Sequence, residues 1–171
     1  MADTQTPQGI VAVIQKEEIG LPDFRQGKFL FLEEVQDPGN VGTMIRTADA
    51  AGFTGVIVSD KSADIYSLKT LRSMQGSHFH LPIYRMPSQT LLEEAKEAGI
   101  PVLATTLSKD SKDYRDLPYL DQFVLVMGNE GQGISSVMAE SADQLVHIGM
   151  KGRAESLNVA IAAGILMFYF S

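Results

Sequence analysis

The sequence predicts an α/β fold in one compact domain, and three observations carry the prediction. Short apolar runs alternate with amphipathic segments along nearly the whole chain, rather than splitting into an all-β half and an all-α half. A length of 171 residues with 44% hydrophobic content is enough to bury one packed core and too short for a second full domain. Two of the apolar runs end directly in glycine-bearing turns, after Val35 and after Met127, which is how a strand hands over to a loop and helix at a site.

Residues 1–27 contain one candidate strand, at 9–15, followed by a stretch punctuated by Gly and Pro, and read as an N-terminal arm or linker. The compact part, 28–171, starts at Lys28. Residues 28–35 read as a strand; after the turn Asp37-Pro-Gly-Asn40, residues 41–52 place Val41, Met44, Ile45, Ala48 and Ala51 on one helical stripe. A second strand begins at Phe53 and centres on 55–58. A polar helical piece at 67–74 follows, then a strand-like 78–84, then a helix at 89–98 closed by Gly99. Residues 100–105 read as a strand, 109–116 as a polar loop, and 122–127 as a fully buried strand running into Gly128-Asn-Glu-Gly-Gln-Gly133. A short last strand at 145–148 precedes an apolar C-terminal helix at 156–170. That helix offers Leu157, Ile161, Ile165 and Phe168 for burial, yet Val159, Ala160, Ala162, Ala163, Leu166, Met167 and Phe170 fall off this stripe. One sheet face does not cover so much apolar surface, so a subunit interface is expected there, with Leu166 and Phe170 among its outward positions.

Composition narrows the function. No apolar run reaches about eighteen residues and the first seven are too polar for a signal segment, so the expected location is cytoplasmic, without a membrane. The absence of Cys removes thiol nucleophiles and Cys-based metal sites, and three scattered His leave little for a metal, so no metal is expected. A net charge of -7 has the wrong sign for binding nucleic acid by charge alone. The distribution is uneven, however: acids crowd at Glu17-Glu18, Glu33-Glu34 and Glu93-Glu94, whereas residues 65–92 hold none and carry Lys69, Arg72, Arg85, His78 and His80.

Three loops are candidates for chemistry. In Asp37-Pro-Gly-Asn-Val-Gly42, Asn40 suits a helix N-cap, Gly42 lets a ligand approach the backbone, and Arg46, flanked by Thr43 and Thr47, can project a guanidinium suited to phosphate. The second, Gly128-Asn-Glu-Gly-Gln-Gly133, has neither the glycine spacing of a dinucleotide site nor the Lys of a phosphate loop. Its Glu130 would repel phosphate, which favours a cationic or ribose-bearing ligand. In the third, Ile148-Gly-Met-Lys-Gly152 leads to Ser156-Leu-Asn158, where Ser156 suits an N-cap.

In this order the three loops, with Leu71-Arg-Ser-Met-Gln-Gly76 between the first two, resemble the three motifs of the SpoU (TrmH-like) branch of the SPOUT RNA methyltransferases, from about Gly9 to the C-terminus. Gly149 stands where that family usually has Pro, and Ala160 where Ser is common. The resemblance implies a SPOUT-type sheet with helices on both faces, a C-terminal trefoil knot, a homodimer with its active site at the interface, and methyl transfer from S-adenosylmethionine to a ribose 2'-hydroxyl of structured RNA, ribosomal or transfer. It places the cofactor on Thr105, Gly128, Ile148, Met150 and Leu157, and the catalytic set on Asn40, Arg46, Glu130, Ser156 and Asn158. Because Arg is effectively never deprotonated, Arg46 is expected to bind the adjacent phosphate and stabilise the developing alkoxide. Glu130 as proton acceptor is the alternative. A non-catalytic RNA-binding or assembly protein on the same fold is the other function class. Longer members carry an N-terminal RNA-binding module, and residues 6–12 resemble the point where the catalytic domain resumes after it, so a missing module is expected to supply much of the RNA affinity.

Overall fold

The computed structural model describes residues 19–171, together with Gly9 and Val13. The strand expected at 9–15 lies outside the described residues. From Lys28 on, the alternation of periods becomes a seven-stranded sheet in the order β3-β2-β1-β6-β4-β7-β5, every pairing parallel. Its strands are β1 (Lys28–Leu32), β2 (Gly55–Val58), β3 (Ile83–Arg85), β4 (Val102–Thr105), β5 (Lys112–Asp113), β6 (Phe123–Met127) and β7 (Gln144–His147). Its helices are α1 (Pro38–Ala50), α2 (Leu68–Met74), α3 (Ser88–Ala98), α4 (Ser136–Ser141) and α5 (Val159–Phe170).

Helices cover both faces, and the two-residue period of the central strands assigns each side chain to one of them. Leu30 and Leu32 of β1, with Leu125 and Met127 of β6, pack in a core with α1 and α5. Phe29 and Phe31, with Val124 and Val126, pack in a second core with α3 and α4. Helix α3 ends as expected at Gly99, whose φ of 69° is left-handed and returns the chain toward β4. At β1 and β6, neighbours in the sheet, the chain leaves in opposite directions: β1 leads through α1 to β2, and β6 through α4 to β7. Such a switch point opens a crevice at the carboxyl ends of the strands, where α/β sheets bind ligands.

Several boundaries differ from the sequence reading. Helix α1 starts three residues early because Pro38 is admitted in the first turn and Asp37, not Asn40, is the N-cap; the Asp37 side chain accepts from the Asn40 amide at 2.9 Å. Likewise α5 starts at Val159, with Asn158 as N-cap in place of Ser156. The expected strand at 78–84 is a 3-10 turn, Ser77–Phe79, followed by β3. The polar loop at 109–116 contains the edge strand β5, and α4 has no counterpart in the sequence reading.

Packing departs from expectation at two places. In α5 the buried residues are Ala160, Ala163, Leu166, Met167 and Phe170, while the stripe expected to be buried faces outward, Ile161 being 56% and Phe168 58% exposed. Both sides are apolar, so hydrophobicity cannot choose between them; the small Ala160 and Ala163 let the other side sit close to the core. Gly42 serves helix packing, not ligand approach. A Cβ there would lie 2.6 Å from the Thr70 carbonyl oxygen, 2.5 Å from Ser73 Cβ and 3.0 Å from the Met74 amide, so α2 reaches α1 only because position 42 has no side chain. Two of these contacts are backbone and cannot swing away. Gly42→Ala should therefore lose about 1–2 kcal/mol of stability in urea unfolding, overpacking outweighing the gain in helix propensity. Gly164→Ala in α5, whose nearest neighbour is Thr47 Cγ2 at 3.7 Å, should be neutral or stabilising.

Candidate active site

The loops leaving β1 and β6 are fastened to each other along their length. The Glu33 amide donates to the Met127 carbonyl at 2.9 Å, and Asn129 Nδ2 donates to the Glu34 carbonyl at 2.9 Å. Asn129 also shapes its own turn: its Oδ1 accepts from the Gly131 and Gln132 amides at 2.9 and 3.0 Å, and its backbone exchanges two hydrogen bonds with Gly133. Beside this turn Gly128 has no room for a Cβ, which would collide with the Gly133 backbone.

Glu130 closes the join. Its carboxylate accepts from the Gln36 amide at 3.1 Å, the Asp37 amide at 3.0 Å and Asn40 Nδ2 at 3.1 Å. Asn40 passes the connection on, its Oδ1 accepting from Asn158 Nδ2 at 3.1 Å. Asn158 Oδ1 in turn accepts from the Ala160 and Ile161 amides at the start of α5. The orientation of both amides follows from their neighbours, since a carboxylate can only accept and backbone amides can only donate. Glu130, Asn40 and Asn158, far apart in sequence, thus form one line of hydrogen bonds through all three predicted loops.

Burial raises the Glu130 pKa, but the bonds from Asn40 and from the Asp37 and Gln36 amides outweigh it and hold the carboxyl below its ordinary range. Asp37 is likewise lowered, first by Lys69, whose Nζ lies 2.7 Å from its Oδ2, and then by the Asn40 amide.

Next to this line a cavity of about 510 Å³ opens between the loops after β4, β6 and β7, with α5 as its floor. Thr105, Gly128, Ile148, Met150 and Leu157, all five residues expected to hold the cofactor, line it, as do Glu130 and Ser156. Asn40, Asn158 and Arg46 do not. Arg46 is exposed and has no hydrogen bond or ion pair among the described residues; it shares the α1 face of Gly39, Gly42 and Asp49, the last of which meets His80 at 3.3 Å. Sequence reasoning missed Asn129, which stands at the head of a glycine turn where Asn commonly bonds its own backbone. It also missed Thr106, Leu107, Ser108 and His147 of the wall. His147 Nδ1 lies 3.0 Å from Ser111 Oγ, a pairing that crosses 36 positions and leaves no trace in local pattern.

The cavity's size suits one nucleoside-sized ligand. Its wall mixes aliphatic side chains with exposed backbone, and among the described residues it includes no Lys or Arg; Glu130 is its one carboxylate. That chemistry disfavours a nucleoside phosphate and fits a flat base and ribose bearing a positive charge, as S-adenosylmethionine does.

Comparison with known proteins agrees. A 23S rRNA (guanosine(2553)-2'-O)-methyltransferase of Bacillus subtilis is 44% identical over 99% of this chain and 67% of its own. A 23S rRNA (uridine(2479)-2'-O)-methyltransferase of Streptomyces viridochromogenes is 35% identical over 96% of this chain and 60% of its own. The crystal structure of an AdoMet-bound rRNA methyltransferase from Sinorhizobium meliloti superposes with a TM-score of 0.79 at 44% identity, over 82% of this chain and 54% of that one. The chain therefore spans between about half and two thirds of the length of these relatives. Residues 27–168, which include the three loops tied together by Glu130, Asn40 and Asn158, match the SpoU rRNA Methylase family, so the chain belongs to that family.

Proposed function

We propose that this chain carries the catalytic domain of an S-adenosylmethionine-dependent methyltransferase acting on a ribose 2'-hydroxyl of RNA. The observation that carries the reading is the line Glu130–Asn40–Asn158, which assembles the three motif loops beside a cavity whose wall disfavours phosphate. Relatives named as 23S rRNA 2'-O-methyltransferases support ribosomal RNA as the substrate. When bound, the cofactor supplies an electrophilic methyl on a sulfonium. Thr105, Gly128, Ile148, Met150 and Leu157 would hold its base and ribose through backbone groups and apolar contact.

What the chain itself must do is bring a poor nucleophile into line and favour loss of its proton. Arg46 is suited to this, being exposed, without a partner among the described residues and permanently cationic, so it can hold the neighbouring phosphate and stabilise the alkoxide as it forms. Glu130 is suited less well. Its oxygens are already occupied by three donors and its proton affinity is lowered, which makes it a weak base and a strong positioning group. Asn40 and Asn158 are positioning residues in the same line, and Ser156 at the cavity wall would orient ribose or cofactor.

RNA would be engaged by few cations. Near the motifs, Lys69 is paired with Asp37 and Arg85 reaches the Ser59 and Asp60 carbonyls, leaving the side chains of Arg46, Arg72, Lys151 and Arg153 exposed and without partners among the described residues. With a net charge of -7, binding by these four is expected to be weak and salt-sensitive, which supports the contribution of a further RNA-binding module.

A homodimer belongs to the same reading. Ile161, Ile165 and Phe168 form an outward apolar stripe on α5, and Arg46 does not line its own chain's cavity, so a site shared between two copies accounts for both. The trefoil knot expected from the resemblance is part of this proposal, as is action in the cytoplasm; no helix among the described residues is long and apolar enough to cross a membrane.

Arg46→Ala should leave folding and S-adenosylmethionine affinity nearly unchanged in calorimetry while slowing methyl transfer at least about a hundredfold. Loss of cofactor binding in step with activity would contradict the role assigned to it, and failure of the wild type to prefer S-adenosylmethionine over an adenine dinucleotide would remove the function itself. Ile161→Asp or Phe168→Asp should dissociate the dimer in light scattering with the fold intact, whereas Leu166→Asp, at a position 1% exposed, should unfold the chain. A soluble, fully active wild-type monomer at micromolar concentration would contradict the shared site.

The sign of the Glu130 effect is fixed by its lowered pKa. The stability it contributes is complete above its ordinary value of 4.5 and is lost as pH falls below that through the folded-state value. Urea unfolding from pH 7 to pH 3 should show the wild type's advantage over Glu130→Gln shrinking below about pH 4.5. A gap that stays constant with pH would show that Glu130 is not held as the anion.

A further inference from the structure

Glu33 directly follows β1, is only 2% exposed, and has no ion pair among the described residues. Its neighbour Glu34 takes the nearby cation, Lys61, at 2.8 Å. Burying an ionisable group without a counter-charge is costly unless hydrogen bonds satisfy it, and three do. Ser88 Oγ donates to Glu33 Oε1 at 2.8 Å, Ser135 Oγ donates to the same oxygen at 2.8 Å, and the Ser135 amide donates to Oε2 at 2.9 Å.

These partners stand at two junctions. Ser88 is the first residue of α3. Ser135 is the N-cap of α4, its Oγ accepting from the Met138 amide, and it ends the loop that runs from Gly128 past Glu130 along the cavity. At its β6 end the same loop is held by Asn129 and Glu130; at its α4 end the side chain that reaches it from β1 is Glu33. A hydrophobic residue at position 33 would fill the same space between strand and helices but would leave an amide and two hydroxyls unanswered.

We infer that Glu33 is a positioning residue of the cofactor site: the buried carboxylate pins the α4 end of the 128–135 loop through Ser135 and thereby sets the wall against which the cofactor binds. The cofactor part of this inference rests on the function proposed above; the pinning does not. The bond to Ser88 anchors α3 and has no part in it.

The test combines loop exchange with cofactor affinity. In Glu33→Ala, hydrogen exchange of the Asn129 to Ser135 amides should quicken about tenfold or more while β4 and β6 exchange as in the wild type. S-adenosylmethionine affinity by calorimetry should fall about tenfold. Glu33→Gln, which can still accept from the Ser135 amide and donate to the hydroxyls, should restore both, and Ser88→Ala should change neither. Where Glu33→Ala does not fold, Glu33→Asp serves, because one methylene less withdraws the carboxylate from Ser135 while keeping it charged. Unchanged loop exchange, or exchange raised equally across the sheet, overturns the pinning; a loosened loop with undiminished affinity overturns the positioning role. A wild type that binds no S-adenosylmethionine sinks the proposed function instead, and loop exchange then decides the pinning alone.

Discussion

A carboxylate answering backbone amides holds this site together. An all-parallel sheet delivers the carboxyl ends of its strands to one edge, and the loops there carry amides that no strand satisfies. Glu130 takes two of them, from Gln36 and Asp37, and uses its remaining capacity to orient Asn40. Asn40 then fixes Asn158 through its Nδ2, and the Asn158 Oδ1 accepts from the amides that start α5. A single anion in the second loop therefore sets the first loop, the third loop and the entry of the last helix. It does so because a deprotonated carboxyl accepts several bonds at once and donates none.

The cavity takes its chemistry from the same arrangement. Its polar surface is largely backbone and short side chains, and the Glu130 carboxylate on its wall is already turned toward the neighbouring loop. What is left for a ligand is a mostly apolar slot with backbone groups at its edge. Arg46, by contrast, has no partner among the described residues, and a guanidinium so placed on the face of a well-packed helix is available to a ligand from outside the chain.

The C-terminal helix shows where pattern reading fails. Both sides of α5 are apolar, and a stripe through Leu157, Ile161, Ile165 and Phe168 is as regular as any in the chain. Its helical part, Ile161, Ile165 and Phe168, lies outward because Ala160 and Ala163 are small enough to let α5 sit against α1 and the sheet. Shape, not hydrophobicity, made the choice. At Gly42 the same cause misled in the opposite direction: a glycine in a candidate binding loop is used to bring α2 within contact of α1. The caps failed by a smaller margin, because Asp37 and Asn40, like Ser156 and Asn158, are both good cap residues and only the backbone decides which one is used.

Local order and residue type were enough to specify the alternation of strand and helix, the buried central strands implied by continuous apolar runs such as that of β6, and the three loops with their chemical residues. The resemblance of those loops to a known family marked five of the residues that line the cavity, because a motif keeps its spacing wherever it folds. Folding of the whole chain was needed to decide that Glu130 binds Asn40 and Asn40 binds Asn158, that Ser111 meets His147, that Glu33 is buried, and which side of α5 faces out. Each of those is a contact between residues far apart in the sequence or a choice between equally apolar surfaces. Local periodicity carries no information about such contacts, and only the packing of all the elements together settles them.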